Sequence, residues 1–458
     1  MKKPGSASIM KRSHYYAATV VKAPRGLNWQ FSLLATVTAL VVGSPLLLVV
    51  DAYDNGVAPK PPMGWNTWCT DDLCGLIDHC TEDEVKSVAD ALVSSGLKDL
   101  GYTYVNLDDC WAAKDRDAQG RLQGAPKQFP SGMAALADYV HGLGLKLGLY
   151  TCVGTETCKY GRPGSYGNFD IDAQTFAEWG VDQVKADYCH RGGNETSVEL
   201  YTTFSEALNA TGRPMLFSLC EWGEDEVWTG WGASVGQMMR VQMDHLPLWH
   251  YPPQAAGVGY GQGVRDIIEW MGHIGPSQWT QRHGWLDPDF LMTMFLEEWH
   301  GSWEPMTFTN SRTEFSFWAL WASPLVFATD PRNMTEQKKT ILMNEEVIAV
   351  NQDELFAGGD RLYNTTDGLQ AWSKPLANGD VAVILYNRGS NVDGTVTIGP
   401  QDVTVTWNQL GWTDDGTGIT MRDLWAHAAV EPSDPATGHT ASILPKDVQM
   451  LRISRSSK

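Results

Sequence analysis

Acidic side chains recur in this chain where short apolar runs stop. The runs Thr103–Asp108, Gln183–Asp187, Met215–Cys220 and Met239–Asp244 end on, or lead directly into, Asp108 and Asp109, Asp187, Glu221, and Asp244. Lys146–Tyr150 ends on a tyrosine, Lys185 stands two residues before Asp187, and Arg240 stands four before Asp244. Charged groups at the ends of apolar segments are costly to desolvate unless something pairs with them. One answer is a ring of ion pairs, Lys185 with Asp187 and Arg240 with Asp244, that only closes the fold. The other is a polar pocket for a polyhydroxylated ligand, with two carboxylates free for acid/base or nucleophilic work.

The elements that carry these residues alternate. The runs above read as strands, and between them lie stretches of helical periodicity. Val85, Val88, Ala89, Leu92 and Val93 recur at helical spacing, and similar stretches cover Ser131–Gly142, Ala173–Gly180 and Glu314–Ala322. Strand–helix alternation from about residue 60 to 345 predicts parallel strands. At this size a closed (β/α)8 TIM barrel leads, with residues 53–357 as the catalytic domain. A doubly wound open sheet is the second choice, and the first strand lacks the glycine-rich turn that such sheets use for nucleotides. In a barrel the carboxyl ends of the strands share one mouth, which brings the acids together. Beyond residue 358 the pattern becomes short β-branched runs separated by Gly, Asn and Asp: Asp380–Asn387, Gly394–Gly399, Asp402–Trp407 and Val448–Ser454. Residues 358–458 are therefore expected to form a C-terminal antiparallel β-sandwich.

Bulk properties narrow the partners. Of 458 residues, 54 are acidic and 34 basic, a net charge of −20 that repels phosphate backbones, so no nucleic acid is expected. No phosphate loop, nucleotide motif or metal cluster appears, so no cofactor is expected. Cys69, Cys74 and Cys80 lack the paired spacing of structural zinc sites. Residues 31–50 form an uncharged apolar run preceded by Lys2, Lys3, Lys11, Arg12, Lys22 and Arg25 and followed by Asp51 and Asp54. Residues 1–52 thus read as a basic segment plus a signal peptide or signal anchor. The membrane is a partner only if 31–50 is an uncleaved anchor, and the rest of the chain is expected to be lumenal or extracellular. Sequons at Asn194, Asn209, Asn333 and Asn364 point the same way, as do eight cysteines expected mostly to pair. Nothing in the sequence fixes an oligomeric state.

Collinear motifs then carry a resemblance. Pro61–Trp68 (PPMGWNTW), Asn106–Trp111 (NLDDCW), Gln128–Met133 (QFPSGM), Gly148–Tyr150, Lys185–Cys189 (KADYC), Cys220–Gly223 (CEWG) and Trp285–Asp289 (WLDPD) resemble the family 27 glycoside hydrolases, the melibiases. The likeness runs for about 290 residues, to Val350–Asp353. It implies a (β/α)8 barrel followed by a sandwich, and cleavage of terminal α-galactosyl groups with retention, α-galactosides being the substrates. Carried over, Asp187 matches the nucleophile and Asp244 the general acid/base. A retaining site needs these carboxyls about 5–5.5 Å apart. Lys185 should keep the nucleophile ionised, while Asp244 should hold a proton through burial or a neighbouring carboxylate.

The resemblance also implies that Asp108 and Asp109 accept from the 4- and 6-hydroxyls, that Trp68 and Tyr150 line the pocket, and that Arg240 and Glu221 hold the 2-hydroxyl. A carboxylate at 221 would exclude an acetamido group and disfavour the α-N-acetylgalactosaminidases of the family. Retained Asp108 disfavours the β-L-arabinopyranosidases. The rival outside catalysis is a non-catalytic galactose-binding protein. Cys158–Cys189 and Cys74–Cys110 resemble family disulfides, Cys69–Cys80 is the expected remainder, and Cys152 and Cys220 are expected to be free buried thiols. Residues 247–263 look inserted after Asp244 and are expected to shape the leaving-group side.

Overall fold

The computed structural model describes residues 52–68, 80–250, 261–293, 306–391, 394, 396–412 and 418–455. The basic segment, the 31–50 run, Cys69, Cys74 and residues 251–260 of the inserted stretch lie outside the described residues. Strands β1 (Met63–Asn66), β2 (Tyr104–Leu107), β3 (Lys146–Cys152), β4 (Gln183–Asp187), β5 (Leu216–Cys220) and β6 (Met238–Arg240) are followed by two-residue β7 (Asp244–His245) and β8 (Gly261–Gln262), then β9 (Trp285–Asp287) and β10 (Leu325–Phe327). Eight of these form one parallel sheet in the order β10-β1-β2-β3-β4-β5-β6-β9. A parallel bridge between Leu291 and Phe327 joins its two ends. This is the expected barrel. Among the described residues, seven helices alternate with the strands: α1 (Glu82–Ser94), α2 (Met133–Gly142), α3 (Phe169–Trp179), α4 (Ser197–Ala210), α5 (Trp231–Val235), α6 (Val264–Ile274) and α7 (Phe308–Trp321). Helices α8 (Glu336–Leu342) and α9 (Glu345–Asn351) follow β10.

Local chemistry explains the helices. Thr81 caps α1 by accepting from Glu84 N, three acids fill the first turn, and Val85, Val88, Ala89 and Leu92 are buried on one face. Helix α4 opens with a reciprocal capping box between Thr196 and Glu199. Two expected strands are corrected. The run Met239–Asp244 stops as a barrel strand at Arg240, and Asp244 belongs to β7, which pairs with β8 across the inserted stretch. Gly394–Gly399 forms no strand among its described residues and contributes only the bridge Ser390–Thr397.

The sandwich comprises β11 (Asp360–Asn364), β12 (Leu369–Pro375), β13 (Val381–Asn387), β14 (Gln401–Thr406), β15 (Ile419–Asp423), β16 (Ala428–Val430), β17 (Gly438–Ile443) and β18 (Asp447–Arg455). Six strands form a sheet ordered β11-β12-β13-β18-β15-β16, and β14 pairs with β17 opposite it. The alternation of β13 shows how the domains join. Val383 and Leu385 enter the sandwich core, while Ala382, Ile384 and Tyr386 pack into the barrel core. Burying both faces of one strand fixes the sandwich to the barrel, with Tyr386 against Phe317 of α7.

Disulfides join Cys80 to Cys110 and Cys158 to Cys189. The second is the expected pair. The first overturns both Cys74–Cys110 and Cys69–Cys80: Cys80, just before α1, reaches the turn after β2. Cys152 and Cys220 are free and buried, as expected.

Candidate active site

At the carboxyl ends of the barrel strands lies a cavity of about 570 Å³, lined by Trp68, Asp108, Asp109, Tyr150, Cys158, Lys159, Lys185, Asp187, Cys189, Trp222, Arg240, Met243, Asp244, Leu246, Asp289 and Phe290. Eight of the nine residues expected at a site are on its wall, and Glu221 is not.

Strand register brings the chemistry together. Cys152, Asp187 and Cys220 end β3, β4 and β5 side by side, so Asp187 stands between two buried thiols. Its Oδ2 accepts from the Tyr150 hydroxyl at 2.7 Å and its Oδ1 from Tyr188 N at 3.0 Å. Burial pushes the Asp187 carboxyl up to about 6. Lys185 opposes that shift and Asp244 adds to it. Lys185 thus acts in the expected direction, favouring the ionised nucleophile, while desolvation is the larger effect.

Lys185 has a different partner. Its Nζ donates to Asp108 Oδ2 at 2.8 Å, across the intervening strand β3. Asp108 also accepts from Asn66 Nδ2 and from Asp109 N. Asp109 Oδ2 accepts from Lys159 N at 2.7 Å and Tyr160 N at 3.2 Å, and burial raises its carboxyl. The two acids are therefore aimed and held before any ligand arrives.

Arg240 is fully buried and forks between two carboxylates, Asp244 Oδ1 at 2.9 Å and Asp289 Oδ2 at 2.6 Å. Asp244 itself is not buried: its side chain is 56% exposed. Asp289, at the end of the Asp-Pro-Asp run after β9, had no assigned role in the sequence. Its left-handed backbone (φ +81°) turns it toward Arg240.

Glu221 stands apart from the other expected residues. Its side chain is buried with Oε1 accepting from Asp225 N at 2.6 Å, and burial pushes its carboxyl up to about 8. Turned inward, it is off the cavity wall. Trp222 and Gly223 both adopt left-handed conformations (φ +64° and +77°), and a side chain at 223 would strike the Val241 carbonyl. This tight turn places the Trp222 indole on the wall in place of Glu221. The signal was present in the Cys-Glu-Trp-Gly motif, but which of two adjacent side chains faces inward depends on the turn.

Residues 60–353 match the family described as "Alpha galactosidase A", and residues 366–453 match the "Alpha galactosidase C-terminal beta sandwich domain". The chain belongs to the melibiase family. Among its melibiase relatives, the α-galactosidase of Oryza sativa is 39% identical over 400 residues, covering 87% of this chain and 86% of that protein. The crystal structure of α-galactosidase I from Mortierella vinacea superposes with a TM-score of 0.78 at 35% identity, covering 88% of this chain and 99% of that one. The Saccharomyces cerevisiae α-galactosidase, solved with raffinose, superposes with a TM-score of 0.75 at 27% identity, covering 88% and 99%. Both melibiase domains are thus present in one continuous chain.

Proposed function

We propose that this protein is a retaining α-galactosidase that removes terminal α-D-galactosyl residues, with Asp187 as nucleophile and Asp244 as acid/base. The observation that carries the reading is a single barrel-mouth cavity in which a held carboxylate, Asp187, faces an accessible one, Asp244, beside the fixed acceptors Asp108 and Asp109. Asp187 attacks the anomeric carbon while Asp244 gives its proton to the departing glycosidic oxygen, leaving a glycosyl ester on Asp187. Asp244 then takes a proton from water, whose oxygen displaces Asp187 and releases galactose with its original configuration. An axial 4-hydroxyl meeting pre-aimed acceptors favours galactose over glucose, which would leave a buried acceptor unpaired. Arg240 serves the 2-hydroxyl, Trp68 and Tyr150 shape the wall, and the steric part assigned to Glu221 passes to Trp222.

The setting of this reading is the secretory pathway. Two disulfides and four exposed sequon asparagines, Asn194, Asn209, Asn333 and Asn364, support a lumenal or extracellular site of action. No helix among the described residues is long and apolar enough to cross a membrane, and the 31–50 run stands outside them.

The test is hydrolysis of matched nitrophenyl glycosides (α-galactoside, α-N-acetylgalactosaminide, β-L-arabinopyranoside and α-glucoside), with the first-formed sugar followed by proton NMR. Dominant α-galactoside turnover releasing α-galactose is expected. β-Galactose as the first product would refute retention, and comparable turnover of the N-acetylated substrate would refute the sugar assignment.

A further inference from the structure

Asp244 is exposed, yet the residue after it is among the most enclosed polar groups in the protein. The His245 and Glu314 side chains are both wholly buried, and His245 Nε2 lies 2.8 Å from Glu314 Oε1. The other ring nitrogen, Nδ1, lies 3.2 Å from the Gln262 carbonyl. Glu314 Oε1 also accepts from Met292 N at 2.8 Å, and the Trp318 ring tilts against the imidazole. The Nε2–Oε1 bond thus ties the imidazole to a carboxylate in a site closed to water.

The pair is also the innermost bolt of the loop that carries Asp244. That loop is tied at Val241, whose carbonyl accepts from Trp270 Nε1, and at Gln242, whose amide donates to the Pro288 carbonyl. It is tied again at His245, whose backbone N–H donates to Asp289 Oδ2 at 2.6 Å. Asp289 in turn holds Arg240, the partner of Asp244. The charged groups facing the imidazole are thus Glu314 from α7, Asp289 after β9 with Arg240 behind it, and Asp244 on the outer side of the loop.

We propose that the buried hydrogen bond between His245 and Glu314 fixes the loop, making His245 a positioning residue for leaving-group protonation by Asp244. The proposal rests on the reading of Asp244 as acid/base. Without the imidazole, a buried carboxylate loses its side-chain partner and the loop loses its innermost tie.

Leaving groups separate this role from a general structural one. A dinitrophenolate departs without a proton, whereas the alcohol of a disaccharide needs one from Asp244. The full-length protein, produced in a secretory host, is assayed as His245→Ala, Glu314→Gln and Asp244→Ala on dinitrophenyl α-galactoside and on a galactosyl disaccharide, from pH 4 to 9. His245→Ala is expected to lower kcat on the disaccharide by roughly 10- to 100-fold, the scale of a small misplacement of a catalytic group, with KM and dinitrophenyl turnover nearly kept. Glu314→Gln keeps an amide oxygen that accepts from the imidazole, so turnover of the disaccharide is largely retained. Equal losses on both substrates in His245→Ala, or a Glu314→Gln variant as impaired on the disaccharide as His245→Ala, would each overturn the proposal. Asp244→Ala must itself show the leaving-group dependence. Its absence would overturn the acid/base assignment, and the proposal with it.

Discussion

Replacing Lys185 by Met tests how the pocket is held together. Lys185 Nζ lies 2.8 Å from Asp108 Oδ2, with the two side chains only 14% and 4% exposed, so solvent contributes little screening. Removing the ammonium leaves the Asp108 carboxylate with Asn66 Nδ2 at 3.2 Å and Asp109 N at 2.9 Å as its partners. Breaking a buried pair from one side costs about 3–5 kcal/mol, because a charge is left behind without its counterion. Adding Asp108→Asn removes that charge, so the double variant is expected to be more stable than Lys185→Met alone, with a coupling of about 1–3 kcal/mol. Equilibrium urea unfolding at pH 7, followed by tryptophan fluorescence, reads both quantities. Lys185 also holds the Asp187 carboxyl down, so its loss moves the acid limb of kcat/KM to higher pH. A double variant no more stable than Lys185→Met, together with an unmoved acid limb, would refute the pairing and its electrostatic effect on Asp187.

Other outcomes follow from the same physics. Asp187 is raised to about 6 by burial, so its contribution to stability is present below the unfolded carboxylate value and is lost as pH rises through 6. Asp187→Asn should therefore abolish turnover yet stabilise the fold by up to about 3 kcal/mol at pH 7.5 and hardly at all at pH 3.5; equal melting shifts at both would contradict this. Lys374, buried with the Val350 carbonyl as acceptor, is lowered to about 7 by desolvation. Its contribution is present above the unfolded lysine value and is lost as pH falls to 7, so Lys374→Met should raise the melting temperature more at pH 5 than at pH 9. The Cys158–Cys189 bridge closes a separation of 31 residues on the pocket wall. Changing both cysteines to Ser should cost about 3–4 kcal/mol, read by urea unfolding, and should weaken α-galactoside binding, read as a rise in KM.

What the sequence determined by itself is the order of events along the chain. Apolar runs of strand length alternating with helical periodicity specify a parallel sheet, and an acid at the end of a run is placed at the mouth wherever the barrel closes. Asp108, Asp109, Asp187 and Asp244 were legible for that reason, and the collinear motifs supplied their expected roles. The change to β-branched runs separated by turns marked the sandwich just as directly.

What only the tertiary structure decided is which groups face each other. A period of two says that Lys185 and Asp187 share a face of one strand, but the stronger partner of Lys185 is Asp108, on a strand two places away. The turn at Trp222 and Gly223 reverses which neighbour of Cys220 reaches the pocket, a choice made by backbone conformation and the close approach of Val241. Cys110 takes Cys80 because the start of α1 lies against the turn after β2. His245 and Glu314 stand 69 residues apart and meet only because helix α7 closes the barrel beside the loop carrying Asp244. Local pattern fixes periodicity, and therefore faces. Pairing across strands, thiols and buried ions is set by closure, where burial makes each unpaired polar group costly.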